Sequence, residues 1–308
     1  ILTKLAESFC LIENSRQARL IIAGIRQSIK MIIDMKLIYC ILLFFFVSYI
    51  EAQEIENVQL RVHYATKFKR WENSKNMSSD EQVLDIGKNV SKFYSLWETR
   101  NEEIRDSILA RGGTYQEVQN VLGKAGYPRS YEYYAVYKNY PEKGRITYTD
   151  KEFKDYMYQE ELEKPQWQIF TEEKALVADY QCQKAQTDFR GRTWTVWFTM
   201  DIPIGDGPWK LCALPGLILK AEDSRGDFLF KCIEIKYMDR ENISIPKHKY
   251  LKCDRETLKR LKIKSAQDPV GYLRQLGYES GGGMDANGRP LKYDEKMPVL
   301  LEYESFSL

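Results

Sequence analysis

Two stretches alternate apolar and polar residues so strictly that they constrain the fold more than any other feature of the chain. In VQLRVHYATKF, Val58, Leu60, Val62, Tyr64, Thr66 and Phe68 interleave with Gln59, Arg61, His63, Ala65 and Lys67. In RTWTVWFTMDI, Trp194, Val196, Phe198, Met200 and Ile202 share one face, and Thr193, Thr195, Trp197, Thr199 and Asp201 the other. A period of two sends successive side chains to opposite sides of a sheet. The spacing therefore predicts half-buried antiparallel strands. His63 falls on the polar face and reads as a solvated strand residue. Trp197 is a large ring on a threonine face. Its simplest role is aromatic cover for a neighbouring strand; the sharper one is a ligand or partner surface shared with Trp209.

Between these stretches the pattern changes period. QVLDIGKNVSKFYS reads as two short strands around a turn at Ile86 to Asn89. Ser95-Leu96-Trp97-Glu98 and Thr114-Tyr115-Gln116-Glu117 both have capping-box spacing, and Gly112 and Gly126 stand where helices stop. Two amphipathic helices packed on a sheet follow. YEYYAVYKNYP and RITYTDKEF form an aromatic-rich hairpin, and WQIF with ALVADYQCQKAQT a second one, joined through Thr171 to Lys174. Near the end, Asp254 caps the basic run DRETLKRLKIK, read as a solvated face, and Asp268-Pro269 opens another helix.

The segment WKLCALPGLILKAED places Pro215-Gly216 inside apolar text. A central strand does not accept that pair. Pro suits the second position of a type II turn and Gly the positive φ of the third, so Leu214, Pro215, Gly216 and Leu217 are expected to form a structural turn that admits the next strand. Leu214 and Leu217 then bury against Trp194 and Phe198.

The ends and the charge bound what remains. Met35-Lys36, the apolar run Leu37 to Ile50 and the small residue Ala52 have the order of a secretory signal peptide. Residues 1–34 read as an extension upstream of the true start, 35–52 as the signal, and 53–308 as one β-rich domain without a transmembrane segment. Residues 1–52 hold six Lys and Arg and four Asp and Glu, leaving 40 of each sign in the remainder. That neutrality gives no support for nucleic-acid binding. Cys182, Cys212, Cys232 and Cys253 allow two disulfides in an oxidising compartment. Cys182 with Cys212 and Cys232 with Cys253 are the expected pairs, each joining segments one or two strands apart in a meander.

Catalytic and metal patterns are weak. The cysteines and the two histidines, His63 and His248, match no zinc spacing. Asp285-Ala286-Asn287-Gly288 has its glycine too early for a calcium loop, and Ser280 to Gly283 lacks the lysine of a phosphate cradle. No serine triad assembles from two histidines. Glu160-Glu161 reads as polar, unstructured text. No catalytic residue, cofactor or metal is expected.

Tyr180 to Phe230, YQCQKAQTDFRGRTWTVWFTMDIPIGDGPWKLCALPGLILKAEDSRGDFLF, resembles the signature block of the GLPGLI family, secreted proteins of Gram-negative bacteria. The family's hexapeptide falls on Ala213 to Ile218. Ala213 replaces its first glycine, which suggests a position needing little room but no positive φ. Met297-Pro298-Val299-Leu300 departs from the family's usual end. The resemblance implies an exported, β-rich protein of the periplasm or outer envelope, sometimes associated with outer-membrane receptors. A weaker similarity to outer-membrane lipoprotein carriers implies a half-open barrel. The expected fold is thus one large curved antiparallel sheet with a few packed helices. The expected role is non-enzymatic binding or assembly with an unidentified partner, with carriage of a lipid or other apolar ligand second and an envelope hydrolase third.

Overall fold

The computed structural model describes residues 27, 29–32, 53–278 and 296–302. The chain divides into two compact units, Ile1–Gln53 and Glu54–Leu308. In the first, Gln27 and residues 29–32 are helical and exposed. The expected signal segment, 35–52, and the loop holding Ser280 to Gly283 and Asp285 to Gly288 lie outside the described residues.

The second unit is built on a twelve-stranded sheet. In chain order its elements are β1 (Gln53–Asn57), β2 (Leu60–Phe68), β3 (Ser78–Ile86), β4 (Ser91–Ser95), α1 (Leu96–Ala110), α2 (Tyr115–Ala125), β5 (Ala135–Lys138), β6 (Arg145–Glu152) and β7 (Lys154–Glu161). There follow β8 (Gln168–Val177), β9 (Tyr180–Phe189), β10 (Arg192–Thr199), β11 (Leu217–Asp223), β12 (Phe228–Tyr237), β13 (Asn242–Ile245), β14 (Leu251–Lys252), α3 (Arg255–Gln267) and α4 (Pro269–Gln275). The strand order is β14-β7-β6-β5-β4-β3-β2-β12-β11-β10-β9-β8. Two antiparallel meanders thus meet at the β2–β12 pair, and only the two-residue β14 runs parallel to its neighbour.

This topology forces curvature. β7 and β8 lie near opposite ends of the strand order, yet residues 162–167 alone connect them. Ten strand spacings of about 4.8 Å would separate them in a flat sheet. Six extended residues reach only about 22 Å. The sheet therefore curls until its two ends approach, without closing.

The concave face carries the main core. Val62, Tyr64, Phe93, Trp194, Val196, Phe198 and Phe230 are all buried there, as the alternation of β2 and β10 predicted. The concavity is filled. The long connection 200–216 folds into it, burying Ile202, Trp209, Leu211 and Leu214, while Leu258 of α3 and Val299 and Leu301 of the 296–302 segment pack against the same cluster. A cavity of about 90 Å³ remains beside Tyr134, Tyr148, Tyr158 and Leu258. That is too small for an acyl chain, and the expectation of an apolar ligand held in the concavity is corrected on this ground. On the outer face, β1 and β13 form a small sheet over a second cluster that includes Val83, Tyr94 and Tyr137.

Several local expectations are corrected. The polar face of β2 is covered, so Arg61 and His63 are buried, Arg61 against Asp85 (2.6 Å) and His63 against Glu81 (2.7 Å). β8 runs unbroken through Thr171 to Lys174 with a bulge, and the hairpin turn falls instead at Ala178-Asp179, both at positive φ. Glu160 and Glu161 belong to strand β7. Met200 lies beyond the end of β10 and is 56% exposed. The basic run of α3 is not wholly solvated, since Lys262 meets Asp150 at 2.5 Å. The helix caps follow the expected chemistry: the side chains of Ser95, Thr114, Asp254 and Asp268 each accept a backbone N–H in the first turn.

The four cysteines are free thiols, so neither expected disulfide exists. Six strands stand between β12, with Cys232, and β14, which Cys253 follows. Burial pushes the Cys182 and Cys212 thiols up to about 11 and Cys232 to about 12, which keeps them protonated and inert at neutral pH. No described helix is long and apolar enough to cross a membrane.

Candidate functional site

Leu214, Pro215, Gly216 and Leu217 stand where the sequence placed them, just ahead of β11, and Leu214 and Leu217 are buried in the core with Trp194 and Phe198. The turn chemistry differs from expectation. Gly216 is not at positive φ; Ala213 is, at 70°. Trp209, expected at a surface, is fully buried at φ 52°, 5.7 Å from both Phe189 and Trp194. This segment is scaffold. Trp197 remains partly exposed on the outer face. His63 and His248 each face a carboxylate, Glu81 and Asp155.

A cleft of about 700 Å³ opens on the outer side, between α1 and α2, the link from Gly126 to Tyr134, and the β6–β7 turn. Its position follows from local chemistry. The Ser95 cap starts α1 directly from the end of β4, and Gly126, at φ 75°, ends α2 and turns the chain back toward the sheet. Phe153 alone makes the β6–β7 turn, at φ 59°. An aromatic side chain in the left-handed region stores strain, and such strain concentrates at functional sites.

Tyr115, Tyr127 and Phe153 line this cleft and are 67%, 44% and 46% exposed. Around them stand Glu98 and Arg105 of α1, Gln119 of α2, Arg129, and Lys151 and Glu152 of β6. Exposed rings beside charged donors and acceptors suit a ligand with both apolar faces and hydroxyl groups. The charges are ordered. Arg105 contacts Glu102 at 2.8 Å, and Lys151 contacts the same carboxylate at 3.1 Å. Glu98 is pushed up to about 7 by burial and by Glu102, against the pull of Arg105 and Lys151. It can hold a proton near neutral pH, as a hydrogen-bond donor to a ligand oxygen. Below the cleft, Asp80 accepts from Ser130 (2.7 Å) and Ser95 (3.0 Å), and burial raises it to about 6. The sequence pattern missed this site because its aromatics sit singly in capping and turn text. Tyr115, an exposed ring in a polar first turn, was the available signal.

Glu132, between this group and Lys262, is raised to about 8 by burial, with Lys262 opposing. A carboxyl whose folded value is raised favours the fold when protonated. Its contribution is full below the unfolded value near 4.5 and is lost as pH rises through about 8. Urea unfolding should therefore show Glu132→Gln more stable than the parent at pH 9, by up to about 5 kcal/mol, and equal to it at pH 4. A parallel pH dependence in both proteins would refute this assignment.

Residues 116–259 match the family model described as N-glycanase peptide, N-terminal domain. No curated protein matches the chain. Among solved structures, the chain is similar to "Structure of PNGF-II in P21 space group", with a TM-score of 0.46, 16% identity, and 68% of this chain and 34% of that one covered. A second structure, "Structure of PNGF-II in C2 space group", gives a TM-score of 0.45 and 15% identity, with the same coverage. The chain thus spans about a third of the length of those structures. The family match corrects the expectation of a non-enzymatic binding or assembly role, because the matched domain is described as part of an N-glycanase.

Proposed function

We propose that this chain serves an N-glycanase-type enzyme and that the cleft between α1, α2 and the β6–β7 turn holds the carbohydrate of an N-glycosylated substrate. One observation carries the reading. The stretch similar to the N-glycanase N-terminal domain, residues 116–259, contains most of the cleft wall, including Gln119, Tyr127, Arg129, Lys151, Glu152 and Phe153, while Glu98, Arg105 and Tyr115 lie just before it. Exposed rings offer faces to sugar C–H groups, and the surrounding charged side chains bond to hydroxyls. Glu98 donates or accepts according to pH.

The test uses a biantennary N-glycopeptide and the same peptide without its glycan. Calorimetry should show binding to the glycopeptide alone, and Tyr115→Ala with Phe153→Ala should weaken it at least tenfold without lowering the melting temperature. Mass spectrometry of the same mixtures reads release of the glycan. Equal affinity for the two peptides, or unchanged affinity in the double variant, would refute the cleft reading.

We also infer export to the periplasm or outer envelope, supported by the basic-headed apolar run Leu37 to Ile50 and the small residue that follows it. Domain limits of 35–52 for the signal and 53–308 for the remainder, and kinship with the GLPGLI family through Tyr180 to Phe230, are part of this proposal. N-terminal sequencing of protein recovered outside the cytoplasm decides the first point: a start at Gln53 supports it, and retention of Leu37 to Ile50 overturns it.

A further inference from the structure

The outer face of β8 to β11 is a second place where rings meet solvent. The antiparallel register aligns Phe170 of β8 with Lys184 of β9, Lys184 with Trp197 of β10, and Trp197 with Lys220 of β11. These four side chains form one cross-strand row, in which two strand spacings of about 4.8 Å each separate the rings. The next row along carries Gln186 and Thr195, joined by a 2.9 Å hydrogen bond, and Glu222. Trp197 rests on the core cluster but stays partly exposed, and its flanking strands present lysine, glutamine and threonine rather than apolar cover. Its indole N–H makes no hydrogen bond to the described residues.

The charges of β8 to β11 in this patch are matched, and the row runs on to Lys231 of β12 opposite Lys220. Lys184 meets Glu173 at 2.8 Å and stands 5.1 Å from the Phe170 ring, and Lys220 meets Glu222 at 2.9 Å. A polyanion would have to compete with these carboxylates. A neutral ligand does not: it finds fixed donors and acceptors on both sides of a ring. Flat apolar ring faces, edged by hydrogen-bonding groups with no net charge, complement a pyranose better than a peptide or a phosphate.

We propose that Trp197, with Phe170, Lys184, Gln186 and Lys220, forms a binding platform for neutral oligosaccharide, separate from the helix-side cleft. The platform does not depend on the cleft reading, and the experiment keeps the two apart. Calorimetric titration with a neutral high-mannose oligosaccharide is made in the Tyr115→Ala, Phe153→Ala background, which disables the cleft. Binding should persist there, fall at least tenfold on adding Trp197→Ala, and recover most of its strength with Trp197→Phe. Lys184→Ala should weaken it several-fold with an unchanged circular dichroism spectrum. An acidic oligosaccharide of equal length should bind no better. No binding in the cleft-disabled background, undiminished binding after Trp197→Ala, or tighter binding of the acidic oligosaccharide would each overturn the platform, whatever the glycopeptide experiment gives.

Discussion

Gly216→Ala should be among the most damaging single substitutions in the chain. A Cβ at this position would lie 1.9 Å from the carbonyl oxygen of Thr199, 2.7 Å from its carbon and 3.1 Å from Cα of Met200. All three are backbone atoms, so no rotamer change can make room. The chain crosses itself here because β11 must pair with β10 starting at Leu217 opposite Thr199, and Leu217 N–H donates to Ile202 O at 3.1 Å. Separating the two segments would break the start of that ladder. Overpacking of this kind typically costs 1 to 3 kcal/mol; against immovable backbone, about 3 kcal/mol is expected, a fall of roughly 6 to 12 °C in melting temperature for a domain this size. Ala213→Gly should act the other way. Ala213 is exposed and sits at φ 70°, so glycine there removes strain of about 1 kcal/mol. Thermal melts of both variants test the pair of claims together. An unchanged melting temperature for Gly216→Ala would refute the close crossing.

The two glycine-type positions show where the sequence was legible and where it was not. A period of two announces a strand from within itself, so β2 and β10 and the inward set Val62, Tyr64, Trp194, Val196 and Phe198 could be read directly. Capping chemistry is equally local, and Ser95, Thr114, Asp254 and Asp268 act as their neighbours imply. A glycine has two distinct uses, positive φ and close approach, and only the partner segment tells them apart. At Gly216 that partner is Thr199, seventeen positions away, and local text suggested the wrong use. The same blindness affected the charged residues. Arg61, Glu160, Lys210 and Lys262 look like solvated surface in sequence, because their partners Asp85, Glu302 and Asp150 are distant in the chain. The cleft was invisible for a related reason. Tyr115, Tyr127 and Phe153 belong to three separate local patterns and become neighbours only when α1 and α2 settle on the outer face.

Lys210 carries the second large prediction. Its side chain is 2% exposed, yet its ammonium is fully employed: Tyr158 Oη lies at 3.0 Å, Glu160 Oε1 at 2.7 Å and Glu302 Oε1 at 2.5 Å. The rings of Tyr148 and Tyr158 stand 5.3 Å away. One cation therefore ties together the 200–216 connection, strand β7 and the 296–302 segment. That segment is otherwise held by Arg192, whose Nη2 donates to Leu300 O at 2.6 Å, and by Val299 N–H, which donates to Arg70 O at 3.0 Å. Removing one partner of a buried ion pair leaves uncompensated charge and costs about 3 to 5 kcal/mol. Lys210→Ala should lie in that range, and Lys210→Met, which restores most of the volume, should recover little of it. Glu160 and Glu302 also face Arg190 (3.6 Å) and Arg255 (3.8 and 3.4 Å), so Glu160→Gln and Glu302→Gln added to Lys210→Met should recover only part of the loss, because they take a partner from those arginines. Hydrogen exchange adds a positional readout: in Lys210→Met, amides of residues 296–302 should exchange faster while those of β2 keep their protection. If Lys210→Met melts with the parent and the 296–302 amides stay protected, the ammonium is not what fastens the segment, and the hold comes from Arg192, the backbone pairing with Arg70 to Glu72, Arg255 on Glu302, and the packing of Val299 and Leu301.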